Sequence, residues 1–292
     1  MALGLLSLLS PFAMDAVSSA STEATPTLAP GLTPTVTPDV IASASNVALP
    51  PWLATLFNKV DYFIMVPLVY VAIQFCIVFL IIRMVKIFRA PPAPFTLQIF
   101  PSRKRPAGAA LADTFAMPQI RKHQPLFWVF LMVFHVSFLL LILGHLDILP
   151  RISLVPEASR DMLGAGLVGV GVTVPLLYFL FRRFRTPNRE ISVYADYLLL
   201  ILVIFLCLFG DLMSWGNSWT QYGFVMTKAD FSQYFASLAH FTFQDPRTWL
   251  TGTHYHFAVI HVLLAETFFF VLPFSKIVHS FLSLPINLLR RK

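Results

Sequence analysis

Four histidines stand inside long apolar stretches of this 292-residue chain, and their spacing is the first feature that could do chemistry. His135 and His145 lie ten residues apart in one stretch; His261 and His279 lie eighteen apart in another. His123, His240, His254 and His256 fall in loops or at interfaces and read as solvated or hydrogen-bonded. Ionisable residues inside a bilayer are rare, face the bundle interior and are functional candidates by default. Eighteen residues make five whole helical turns, so His261 and His279 would share one face about 27 Å apart, and His135 and His145 would be separated by about 15 Å. On helices that run in opposite directions, His145 comes level with His261 near one surface and His135 with His279 near the other. One imidazole from each of two helices, in a dry site, offers neutral nitrogen donors to both axial positions of a six-coordinate haem iron, with apolar walls for the macrocycle. Zinc also suits imidazole, but a structural zinc site needs four ligands converging on one point, which pairs this far apart cannot supply. The plain alternative is that each histidine satisfies a helix-to-helix hydrogen bond.

Two further groups bear on this chemistry. Glu266 lies five residues past His261, about 7 to 8 Å along the helix axis. A lone carboxyl there needs a proton or a hydrogen-bond partner, since burial disfavours charge; it reads as part of a proton route, as a haem modulator, or as a simple bond to a neighbouring helix. Asp147, two residues past His145, could accept a proton or could be solvated at a helix end. The two cysteines, Cys76 and Cys207, sit in apolar stretches; with no CxxCH and no four-cysteine set, covalent haem and iron–sulfur clusters are excluded and any redox centre needs other ligands.

The elements that must position these residues are membrane helices. The chain is 57% hydrophobic and only 12% charged, with a mean hydropathy of +0.73, against about 45–50% apolar and about 25% charged in soluble domains. The net charge of +7 would suit nucleic acid only on a soluble basic face, and here the 21 Lys and Arg punctuate hydrophobic runs, so nucleic acid is excluded as a partner. A span needs about 20 apolar residues. Uncharged windows run from Tyr62 to Ile82, Gln124 to Leu146, Met162 to Phe181 and, shorter, Tyr197 to Gly210; a fifth apolar stretch, Tyr255 to Phe281, carries His261, Glu266, Lys276 and His279. The expected fold is an all-α, integral five-helix bundle with helices at about 62–83, 124–147, 162–182, 194–213 and 255–282. Sixteen of the 21 Lys and Arg then fall on one side of the membrane, leaving Lys59, Arg151, Arg160, Lys228 and Arg247 on the other. The positive-inside rule therefore places the N-terminus outside and the C-terminus in the cytoplasm. Residues 1–59, rich in Ser, Thr, Ala and Pro from Ala16 to Pro51, are expected to be a disordered external tail with a signal-like start that lacks a basic n-region. The bundle domain is 60–289. The segment Trp215–Thr253, with Trp215, Trp219, Tyr222, Tyr234 and Trp249, reads as an aromatic interfacial loop that caps the bundle.

Several motifs together resemble the gamma subunit of respiratory nitrate reductase and its relatives, the membrane cytochrome b subunits of sulfite-reduction and heterodisulfide-reductase-like complexes. These are Phe134-His135, Gly144-His145 ten residues later, Arg182-Arg183 with Pro187 leading to Ala195-Asp196, and Leu272-Pro273-Phe274-Ser275-Lys276-Ile277-Val278-His279 eighteen after His261. The resemblance covers roughly Asp61 to Leu289, and the paired spacings of ten and eighteen are its most specific part. It implies two b haems in the cytoplasmic (inner) membrane, the iron of the outer one held by His145 and His261 and that of the inner one by His135 and His279. It further implies a quinol-oxidising or quinone-reducing subunit of a larger oxidoreductase, using menaquinone or another quinone and exchanging electrons with a cytoplasmic iron–sulfur or catalytic subunit. That subunit is expected to dock through the loop Arg83–Lys122 and Arg290-Arg291-Lys292. In the family a basic residue follows an outer-loop proline by four positions, as Arg160 follows Pro156 here; it could hydrogen-bond a quinone carbonyl and stabilise developing negative charge, or be an ordinary interfacial arginine. Gly144, beside an axial histidine, leaves room for a flat porphyrin or quinone, while Gly164, Gly166, Gly169 and Gly171 read as close-packing residues of the third helix.

The chain also departs from the family. The tail and the long aromatic loop are extra and suggest an external partner such as a periplasmic cytochrome c. Val259 stands where the nitrate reductase branch carries an arginine, so the haem-propionate or quinone contact of that arginine is not expected here. The alternative from another class is a haem-free proton-conducting or transporter subunit that uses Glu266 and the intramembrane histidines as a relay, although no internal repeat is evident; a third reading is a structural anchor.

Overall fold

A computed structural model describes residues 50–89, 106–150, 152–155, 166–219, 228–250 and 255–291, all within one unit, Pro50–Lys292. Residues 1–49 of the expected tail, Pro156, Arg160 and Gly164 lie outside the described residues, while residues 51–59, expected in the tail, are helical. Among the described residues every regular element is helical, and five helices are long and apolar enough to cross a membrane.

The first, α1 (Pro51–Phe88), begins well before the expected Tyr62. Proline at its first position suits a helix start. The charge of Asp61, which bounded the apolar window, does not end it: Asp61 is buried and faces Arg247, 2.6 Å away, and His256, 3.4 Å away. Pro67 has no N–H to give the preceding turn, and the chain widens there into a π-turn, Ile64–Leu68. The loosened Met65 carbonyl accepts from the Tyr234 phenol at 2.6 Å.

The remaining spans are α2 (Pro125–Ile148), α3 (Leu167–Phe184) and α4 (Tyr194–Trp219). Between α4 and the last span, α5 (Lys228–Ala239) and a turn at Pro246–Thr248 form part of the aromatic segment read as a loop. Tyr70 and Tyr62 of α1 donate to the Leu238 and Phe243 carbonyls, so this segment is fastened along α1 by phenol-to-backbone bonds. The fifth span is not one helix. It runs as α6 (Tyr255–Val271), breaks through two short 3₁₀ turns at Leu272–Phe274 and Lys276–Val278, and resumes as α7 (His279–Arg291). Pro273 cannot continue the ladder, Ser275 accepts from the Ile277 N–H at 3.1 Å, and the Arg83 guanidinium of α1 donates to the Pro273 and Ser275 carbonyls. The expectation of five unbroken turns between His261 and His279 is therefore corrected: His279 is the first residue of a new helix.

The spans pack in the order α1, α6, α4, α3, α2. Close approach of α3 to both neighbours depends on its glycines. A Cβ at Gly169 would lie 2.1 Å from an Asp211 carboxylate oxygen of α4, and one at Gly171 would lie 2.3 Å from the Ser137 hydroxyl of α2. Val172, Leu176, Val203 and Cys207 form the apolar core of this half, with Phe134, Phe138, Phe179 and Phe268 packed around it.

Candidate functional site

The His145 and His261 ring centroids stand 6.3 Å apart with planes inclined by 19°, and those of His135 and His279 stand 6.4 Å apart at 76°. The four histidines singled out by spacing thus meet as two cross-helix pairs, α2 to α6 and α2 to the start of α7. His135, His145 and His279 are exposed from the protein's own packing and His261 is half-buried.

All four rings are oriented through Nδ1. That atom lies 2.7 Å from the Leu131 carbonyl in His135 and 2.8 Å from the Leu141 carbonyl in His145, in each case one turn back on the same helix. It lies 2.8 Å from the Lys276 carbonyl in His279 and 3.0 Å from the Leu206 carbonyl of α4 in His261. A carbonyl only accepts, so each neutral ring carries its proton on Nδ1 and turns the Nε2 lone pair outward. Among the described residues, His261 is the one of the four whose Nδ1 bonds to another spanning helix.

The separation within each pair can be tested against haem. A metal–imidazole bond of about 2 Å, plus about 1.1–1.2 Å from ring nitrogen to ring centre, puts the centres of two trans axial imidazoles about 6.3 Å apart. Both pairs match. Among the described residues no three His, Cys, Asp or Glu side chains converge on a metal-ion site, and each pair offers two imidazole nitrogens, fewer than the four ligands of a structural zinc site. Aromatic and aliphatic side chains flank the rings: Phe134 sits edge-on to His135 at 5.3 Å.

At the end bearing His145, Gly144 is half-buried. Asp147 is buried and accepts from the Leu154 and Val155 N–H groups at 2.7 and 3.1 Å and from Lys228 at 2.6 Å, so it ties α2 to the following segment and to α5. Val259 is core, packed with Met65, Tyr234 and Ala258. Glu266 is 2% exposed, and among the described residues neither carboxylate oxygen has a hydrogen-bond partner.

Residues that spacing did not single out also build the site. Asp196 of α4 is buried between Arg183 at 3.1 Å and Lys276 at 2.8 Å, and Lys276 in turn supplies the carbonyl that orients His279. Opposite charges at Asp196 and Lys276 inside apolar stretches were the available signal. Gly210, beside the His261 ring, and Asp211, which takes the Thr173 hydroxyl at 3.0 Å, gave none.

The sequence model of a family described as nitrate reductase gamma subunit matches residues 114–292, more than half of the chain. No curated protein matches it.

Proposed function

We propose, from the premise that this chain belongs to the nitrate reductase gamma subunit family, that it is a dihaem cytochrome b subunit exchanging electrons between a membrane quinone pool and a cytoplasmic iron–sulfur or catalytic subunit. Family membership and five apolar helices make it a multi-pass membrane protein, the cytochrome b subunit of a redox complex. The observation that carries the finer reading is the pair of cross-helix imidazole couples at 6.3 and 6.4 Å, each ring presenting Nε2.

In this reading His145 and His261 hold the outer haem and His135 and His279 the inner one, about 15 Å apart along α2. Two b haems held by these pairs would supply one-electron carriers. The apolar walls around Phe134 and Phe268 exclude water. Quinol oxidation releases two electrons and two protons, so the quinone site needs polar groups; Asp147, paired with Lys228 two residues beyond His145, is one candidate and Arg160 another. Glu266, buried without a hydrogen-bond partner, is the candidate for carrying a proton inside the bundle. The Lys- and Arg-rich face is cytoplasmic by the positive-inside rule, and the iron–sulfur or catalytic partner docks there because the chain itself has no motif for such a centre.

The test is a dithionite-reduced minus air-oxidised difference spectrum of the purified chain, with a pyridine haemochrome assay for haem per polypeptide. Two b haems, with His135→Ala and His145→Ala each removing one, is the expected result. A colourless protein from cells supplied with iron and haem precursor would overturn it and leave the Glu266 and histidine relay as the better reading.

A further inference from the structure

Three of the four paired histidines are steered by a carbonyl close behind them in the chain, and His261 alone is steered by a different spanning helix. The Leu206 carbonyl that it reaches is an internal helix carbonyl, already the acceptor for the N–H of residue 210 in an α-helical ladder. A helical side chain leans toward the N-terminus and covers the turn before its own Cα, so a side chain at 210 would lie over the Leu206 carbonyl. Residue 210 is glycine. A Cβ built there would stand 3.1 Å from His261 Cε1 and 3.5 Å from Nδ1, close enough that the ring would have to give by a few tenths of an ångström.

We propose that Gly210 and the Leu206 carbonyl of α4 form a positioning cradle for His261, fixing its ring orientation and its Nδ1 proton. The cradle is braced from the next residue. Asp211 packs its carboxylate directly onto Gly169 of α3 and takes the Thr173 hydroxyl at 3.0 Å, which fixes the rotation and height of α4 against α3. His261 is thereby tied through α4 to α3, while its ring partner His145 is set by α2 alone. The ring orientation in this pair thus depends partly on a neighbouring spanning helix, whereas both rings of the other are steered by carbonyls three or four residues behind them. The inference rests on the dihaem reading, because the consequence of moving the ring is felt at a haem.

Gly210→Ala is compared with the wild-type chain and with Gly171→Ala, which introduces a harder clash, 2.3 Å from the Ser137 hydroxyl, in the α2–α3 contact without touching a histidine. Haem per chain, a redox titration and the low-spin EPR spectrum of the oxidised protein are read for each. Gly210→Ala should leave the His135–His279 haem unaltered, change the EPR signal and midpoint of the His145–His261 haem, and weaken retention of that haem by about 10–100-fold, as loss of an orienting partner does at other metal sites. Gly171→Ala should lower thermal stability and leave both signals in place. Unchanged signals in Gly210→Ala, or equal loss of both haems in the two variants, would overturn the proposal. A second experiment does not depend on the alanine variant folding. His261→Gly is supplied with free imidazole or with 1-methylimidazole, which has no N–H to give to Leu206; restoration by imidazole and much weaker restoration by the methylated ligand supports the cradle, and equal restoration overturns it. A wild-type chain without haem would overturn the dihaem reading, and the inference with it, before either comparison is made.

Discussion

An imidazole offers Nε2 to a metal only while Nδ1 keeps the proton, and a backbone carbonyl at Nδ1 enforces that choice. His240 makes the same bond, to the Ala236 carbonyl at 2.7 Å, so the tautomer alone does not mark a ligand; the proposed function rests on the meeting of two such rings. Glu266 is the opposite case, a polar group that the fold does not serve. It is 2% exposed in the apolar body of α6, with neither oxygen hydrogen-bonded. Leaving a buried polar group unpaired costs about 1–3 kcal/mol, so Glu266→Met, similar in shape and apolar, should raise the stability of the detergent-solubilised protein by about that amount. Glu266→Gln, which keeps the polarity and removes the exchangeable acid proton, should instead lower quinol-linked turnover several-fold. Denaturation midpoints read the first effect, where a fall would contradict it, and steady-state quinol oxidation reads the second, where unchanged turnover and haem potentials would remove Glu266 from any proton route.

The break between α6 and α7 puts His279 at a helix start, held by the Lys276 carbonyl behind it and, through the Lys276 ammonium, by Asp196. Lys276→Met should therefore act at one haem only, weakening retention of the His135–His279 haem by about 10–100-fold and sparing the other; haem counts with the His145→Ala variant as background decide it. The cap formed by α5 gives a pH-dependent counterpart. Burial pushes the Tyr234 phenol above its ordinary value of 10.0, so it remains a donor to the Met65 carbonyl across the physiological range. For a raised pKa the stabilisation is complete below the unfolded value and lost as pH rises toward the folded one. Tyr234→Phe should cost about 1–2 kcal/mol below pH 10, with the gap from wild type narrowing above it; a gap independent of pH would show that the phenol is not the titrating group. The five spans were legible in the sequence because an apolar run of about 20 residues answers directly to the thickness of lipid. The early start of α1 was not, since Asp61 is neutralised by an arginine 186 residues away. The break at Pro273 was marked by its proline, yet the long spacing of His261 and His279 argued for one continuous helix.

Across the whole molecule, the pairing of the histidines was legible because it needed only two spacings and opposite helix directions, both properties of the chain order. The cradle at Gly210 was not, because a glycine one turn beyond a carbonyl acquires meaning only when the neighbouring helix and its histidine are in place. What the fold leaves to charge is which end faces the cytoplasm. The histidine pairs differ in their polar surroundings: Asp147, Lys228, Asp61 and Arg247 gather at one end, Arg183, Asp196 and Lys276 at the other. Counted by alternate spans in the sequence, sixteen of the 21 Lys and Arg are expected on the side of the second group, which the positive-inside rule would assign to the cytoplasm. In the proposed function, quinol oxidation at the His145–His261 end would release its protons outside, whereas in the reverse orientation it would release them into the cytoplasm. The two native cysteines are both buried, so introduced thiols can be read cleanly in a Cys76→Ser, Cys207→Ser background. Gln244→Cys and Glu190→Cys place thiols at exposed positions on opposite ends. A membrane-impermeant maleimide should label the first in intact spheroplasts and the second only after permeabilisation; the reverse pattern would invert the bundle, move the partner's docking face to the other side of the membrane, and with it reverse which haem meets the cytoplasmic subunit.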